Sequence, residues 1–293
     1  MAEVEVEARK GSRMHLLAIT CDILLRPAYF FAARSPHVVD VINLSAALHA
    51  EPTTLGQRIQ EQIDGAGPEI DAIVLGYGLC GGATAGLTAR TVPVVLARAH
   101  DCVTIFLGDR ERYRTEHEKA PGTYWYVQDQ MDRGNDLKGW LLGDAARSED
   151  VVATRADYIE RFGEENAAYL MEVLGEWRTR YERGVFLDTG LAPADEAEHR
   201  AREETERRGW RFEKTLADLK LVRHLLYGEW GDDFQILQPG ERLEMSYDDG
   251  VVRAVPAAGG AVGAGSESRP ARNASMKSTP KASTPVSRSA ARR

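Results

Sequence analysis

No uninterrupted apolar run in this 293-residue chain approaches the about 20 residues that a membrane-spanning helix needs. The opening residues, MAEVEVEARKGSR, alternate Glu with Val and lack the apolar centre and small-residue cleavage site of a secretory signal. The expectation is a cytoplasmic protein without a membrane partner. Cysteine is scarce: Cys21, Cys80 and Cys102 are all there are. Three reduced thiols separated by 58 and 21 residues point away from a disulfide framework and toward metal binding, catalysis or plain burial. These separations are also unlike the compact C-x2-C pairs of structural zinc modules, so a shared ligand would need the fold to exist first. G-x-S-x-G, H-E-x-x-H and G-x-x-x-x-G-K-[ST] are all missing, which removes the usual local signals for a serine hydrolase, a zinc protease or a P-loop.

Positive charge is sparse in the body and concentrated at the end. From Ala257 onward there are seven Lys and Arg against Glu267 alone, a surplus of six, so the preceding residues carry −14 against the chain's −8. An acidic body does not suit nucleic acid, whose readers present a basic face. The tail, residues 257–293, is rich in Ser, Pro, Ala and Gly, has little to bury and is expected to be disordered.

What is present reads as an α/β chain with a largely parallel sheet. β-type runs at 16–20, 38–43, 70–75, 92–97 and 123–127 alternate with helical segments at 23–33, 52–64 and 103 onward. A short helical piece is expected between Cys80 and Arg90. Further on, strands at 185–187, 210–212 and 234–237 alternate with helices at 195–208 and 216–227. Leu243–Tyr247 and Val251–Ala254 flank Asp248-Asp249-Gly250 as a hairpin whose Asp-Gly supplies the positive φ. Residues 131–150 carry a weak signal and read as a loop or lid, and 163–183 as an amphipathic helix. The division expected is a flexible N-terminus (1–13), an α/β lobe with the cysteines (14–150), a second α/β lobe (151–256) and the tail, with a cleft between the lobes.

Each cysteine follows one of these strands, and ligands of open parallel sheets bind at the carboxyl ends of strands. Gly76-Tyr-Gly-Leu-Cys-Gly81 places Cys80 in a turn made by Gly76, Gly78, Gly81 and Gly82, where backbone amides can approach a cluster or anion. The same glycines match G-x-G-x-x-G. The acidic residue expected some twenty positions later is replaced by Arg98, which leaves NADP open through its 2′-phosphate, while a tight strand-to-helix turn explains the glycines without a ligand. Arg98 and His100 precede Cys102 and would favour its thiolate, as would helix starts after Cys80 and Cys102. His49 follows the second strand and may be read as lining the same cleft or as a loop residue without a role. Pro121-Gly-Thr-Tyr-Trp125 offers two aromatics for a planar ligand or for the core.

Cys21, the Leu48-His49 segment, Gly-Tyr-Gly-Leu-Cys-Gly at 76–81, Arg98-Ala-His-Asp-Cys102 and Pro-Gly-Thr-Tyr-Trp125 together resemble an uncharacterised domain-of-unknown-function family of bacteria and archaea. That family repeats a Tyr-Gly-x-Cys-Gly turn and a later His-x-Cys turn in this order. The resemblance implies that Cys80, His100 and Cys102 belong together, and it names no reaction. The combined reading is a metal-binding protein in which Cys21, Cys80 and Cys102 hold an iron–sulfur cluster, in preference to zinc with His100 as fourth ligand. An enzymatic form would act on a small anionic molecule, with Arg98 as anchor and His100 and His49 as polar groups. Two alternatives stay open: a non-catalytic carrier of a metal or corrinoid, and an NADP-dependent oxidoreductase using the 76–81 turn.

Overall fold

The computed structural model describes residues 12–133, Glu164 and 181–257. The tail, the boundary at 150/151, nearly all of the 131–150 segment and most of the 163–183 helix lie outside the described residues. Within them no helix is long and apolar enough to cross a membrane.

The first sheet grows from three fully apolar strands. β1 (His15–Cys21), β3 (Ala72–Gly76) and β4 (Val94–Ala97) are buried almost end to end, the pattern of parallel strands covered on both faces. β2 (Val38–Leu44) alternates exposed and half-buried residues and lies at the edge. β8 (Phe234–Leu237), beyond β4, closes the other edge and runs antiparallel. The spatial order is β2-β1-β3-β4-β8.

Helix α1 (Leu25–Ala32) carries the chain from β1 to β2, and α2 (Pro52–Asp64) returns it across β1 to β3. Pro27 is tolerated because it sits in the first turn of α1, after a 3-10 turn over Asp22–Leu24. Leu55, Ile59 and Ile63 of α2 are buried, as their helical spacing predicts. Because the two crossovers run in opposite directions, the strand order reverses between β1 and β3. That reversal opens a crevice at the carboxyl ends of the two strands.

A second, parallel sheet has the order β5-β6-β7, from β5 (Thr123–Val127), β6 (Arg183–Asp188) and β7 (Arg211–Leu216). Period-two alternation divides β5 between two cores. Trp125 and Val127 join the main core, whereas Tyr124 and Tyr126 pack with Phe186, Trp210 and the helix Asp195–Arg207. All of this belongs to one compact unit, Met1–Gly260.

Two local expectations are corrected. No helix follows Cys80: the chain makes only a 3-10 turn over Cys80–Gly82, because Cys80, Gly81 and Gly82 have φ of 49°, 65° and 92°, opposite to a right-handed helix. In the terminal hairpin, β9 (Glu241–Met245) with β10 (Val252–Pro256), the positive φ falls on Val251 at 66° and not on Gly250.

Candidate functional site

The three cysteines end on neighbouring strands. β1, β3 and β4 lie side by side, so Cys21, the Cys80 turn and the Cys102 turn follow one another along a single edge of the sheet. Pairing of Thr20 with Gly76 brings the end of β1 against the start of the glycine turn, where a Cβ on Gly76 would meet the Thr20 methyl at 2.8 Å. The next two turns are joined directly. Leu79 N–H donates to Ala99 O, and Cys80 N–H to His100 O, both at 2.8 Å. Gly78 permits this approach: a Cβ there would lie 2.8 Å from both Ala99 O and Asp101 N.

Cys102 is the first residue of α3 (Cys102–Leu107), whose N-cap is Asp101, with Thr104 N donating to Oδ1 at 3.1 Å. Cys80 occupies the left-handed region, and with Val251 it is one of two non-glycine residues that do so among the described residues. Such strain costs about 1–2 kcal/mol and persists only where the surroundings impose it.

Burial works against the thiolate at all three positions, contrary to the expectation that amides, helix starts and basic neighbours would favour it. Burial pushes Cys80 up to about 12; a backbone hydrogen bond from Gly78 works in the other direction and loses. Burial likewise raises Cys21, with Asp22 and Cys80 adding to it. Cys102 rises for the same first reason, then through Asp101, Cys80 and Cys21. Cys80 thus acts on both of the other thiols, and Cys21 on Cys102. Iodoacetamide should therefore alkylate the native cysteines at pH 8 about a hundredfold or more slowly than those of the unfolded chain. The native rate should still be climbing at pH 10. A rate that levels off near pH 9 would contradict the protonated state.

Tyr77, between Gly76 and Gly78, is the residue that sequence reasoning passed over. Its side chain is 1% exposed, and its hydroxyl has no hydrogen-bond partner among the described residues. Burial, then Cys21, Cys80 and Asp22, raise its pKa. Its position as the variable residue of a glycine motif gave no signal; only the neighbouring strand ends reveal it. An orphaned buried hydroxyl is costly unless something else satisfies it.

His49 stacks on Tyr77 with ring centroids 6.1 Å apart and planes 25° from parallel. Its Nδ1 lies 3.0 Å from Ala46 O. A carbonyl can only accept, so Nδ1 carries the proton and Nε2 keeps its lone pair. Burial lowers the His49 pKa and favours this neutral form.

Other predicted residues fall elsewhere. Arg98 turns away from the thiols: its guanidinium donates to Phe234 O, Gly250 O, Val252 O and Gln235 Oε1, tying β4 to β8 and the hairpin. With those donors engaged it gives no support to an anion anchor. The His100 side chain is exposed, and only its carbonyl joins the turns. Gly81 and Gly82 border open space. The glycine turn lacks the following helix whose N-terminus would receive a pyrophosphate, so the dinucleotide reading loses its structural basis.

The carboxyl end of β5 meets this edge as well. Its next residues form α5 (Gln128–Asp132), which contacts the turn after β1. Arg26 pairs with Asp129 at 2.5 Å and Asp132 at 2.8 Å. Arg133 lies 3.9 Å from Asp22, whose Oδ1 accepts from Ala46 N. Burial outweighs Arg26 and raises Asp129 to about 6.

Among the described residues, no three His, Cys, Asp or Glu side chains converge as donors to a single metal ion. No curated protein matches the chain. Over residues 43–226, which include His49, Tyr77, Cys80 and Cys102 but not Cys21, the chain matches the family described as protein of unknown function (DUF1638), and it belongs to that family.

Proposed function

We propose that the crevice at the ends of β1, β3 and β4 binds an iron–sulfur cluster through Cys21, Cys80 and Cys102. The observation that carries this reading is the strand order, which aligns three thiols on adjacent strand ends beside the reversal point where doubly wound sheets take their ligands. A cluster distributes its cysteines over separate irons, whereas zinc requires its donors around one point, and no such single-ion set is present among the described residues. High thiol pKa values disfavour these cysteines as free nucleophiles and fit ligands that lose their protons on binding.

With three cysteine ligands, such a cluster offers one iron to a small molecule or a non-cysteine ligand. Tyr77 supplies an unpaired hydroxyl as a hydrogen-bond donor beside Cys21 and Cys80, and His49 a neutral imidazole stacked on it. His49 also favours a second reading, a carrier of a metal or corrinoid without turnover, since its free Nε2 is a ready ligand with its tautomer already set.

Anaerobic reconstitution with iron and sulfide should yield coloured protein containing both elements. Cys21→Ser, Cys80→Ser and Cys102→Ser should each lower the iron content. Colourless protein free of iron, with zinc binding in its place, would overturn the cluster in favour of a single ion. Retention of iron by all three variants would remove the site altogether.

A further inference from the structure

A cavity of about 390 Å³ adjoins the Cys102 turn; its walls include Asp101, Tyr113, His117, Tyr124, Trp125 and Tyr181. This is an ordinary size for a small-molecule site. Tyr113 and His117 lie one helical turn apart on the helix α4 (Arg110–Lys119) and stack with planes 7° from parallel. Tyr124 meets Tyr181 edge to face, with centroids 5.7 Å apart. Aromatic side chains thus come to the cavity from a helix, from β5 and from the segment entering β6, with Trp125 and Tyr124 on opposite faces of that strand.

Asp101 is the one acidic residue among these wall residues, and no Lys or Arg pairs with it among the described residues. Its Oδ1 is engaged by the cap of α3, through Thr104 N and Thr104 Oγ1. The buried guanidinium of Arg183 lies 5.9 Å from the Trp125 ring centroid, yet it is already held by Glu116 and Glu213 at 3.1 and 3.2 Å. Burial raises the Asp101 pKa and the neighbouring His100 opposes it, so no permanent cation neutralises the carboxyl group, and an anion would face it directly. A bulky, weakly hydrated cation satisfies both the ring faces and the carboxylate.

We propose that this cavity binds a ligand bearing a methylated ammonium group, surrounded by the aromatic rings and neutralised by Asp101. Asp101 precedes Cys102 in the chain, but cation binding does not depend on a cluster there, and its test needs no cofactor.

Calorimetric titration of the full chain with choline, and with its uncharged isostere 3,3-dimethyl-1-butanol, separates charge from shape. Choline should bind, and the isostere should bind at least about tenfold more weakly. Asp101→Asn retains a good N-cap residue while removing the charge, and should weaken choline by about tenfold. Tyr113→Phe should preserve binding, and Tyr113→Leu should weaken it several-fold, each variant being checked for native thermal melting. Equal binding of choline and isostere, unchanged affinity in folded Asp101→Asn, or no binding of choline by the native chain would each overturn the proposal.

Discussion

Gly78→Val is expected to destabilise the protein by about 3 kcal/mol and to abolish cluster reconstitution. The added side chain would not meet flexible atoms that can step aside. It would press on Ala99 O, Asp101 N and Asp101 Cα, at 2.8, 2.8 and 3.0 Å from its Cβ alone. The turns after β3 and β4 would have to separate, breaking the bonds from Leu79 N and Cys80 N to Ala99 O and His100 O. Since those bonds set Cys80 beside Cys102, stability and ligand binding should fall together. Gly81→Ala is the control, because its added methyl meets nothing within 4 Å and only the φ of 65° is penalised, at about 1 kcal/mol. Urea unfolding of the two variants checks the difference. A Gly78→Val protein as stable as Gly81→Ala would show that the two turns are not held together in this way.

Cys80→Gly should separate stability from binding. At a φ of 49° a residue with a Cβ is strained, and glycine is not. Cys80 is half-buried against the main core, and both variants lose the same sulfur, so the packing loss largely cancels between them. The glycine variant should therefore be about 1 kcal/mol more stable than Cys80→Ala, the reverse of the usual order of these residues. Neither variant should retain the cluster. Such a pair would mean that the protein holds a strained cysteine where glycine would fold better, which is the expected mark of a residue kept for its chemistry. Thermal melts of both variants, with iron analysis after reconstitution, provide the measurement. Greater stability of Cys80→Ala would contradict the strain argument, and full iron content in either variant would contradict the ligand role.

The alternation of strands and helices was legible because each central strand is apolar throughout and each crossover carries its own period. Thr123–Val127 and Phe234–Leu237 emerge with the expected bounds, and α2 buries the three residues its spacing selects. The turn after β3 was misjudged for a local reason: glycines announce a turn without stating its hand. Three successive positive φ values exclude the expected helix, and with it the helix N-terminus on which the pyrophosphate reading rested. The roles of charged and polar side chains were less legible still. Arg98 looks like a partner for Cys102, four residues away, until strand pairing brings acceptors from Phe234, Gly250 and Val252 to its guanidinium.

By itself the sequence determined that this is an acidic α/β chain with thiols at three strand ends, since composition and hydrophobic period are properties of the chain read in order. Tertiary structure decided that those strands are neighbours, that Tyr77 joins the thiols, and that burial works against thiolate at all three sulfurs. Adjacency depends on the direction of each crossover, and protonation on how much protein surrounds each sulfur. Both arise only when residues distant in sequence are packed together, so the local basic and glycine signals that suggested thiolate were outweighed by burial.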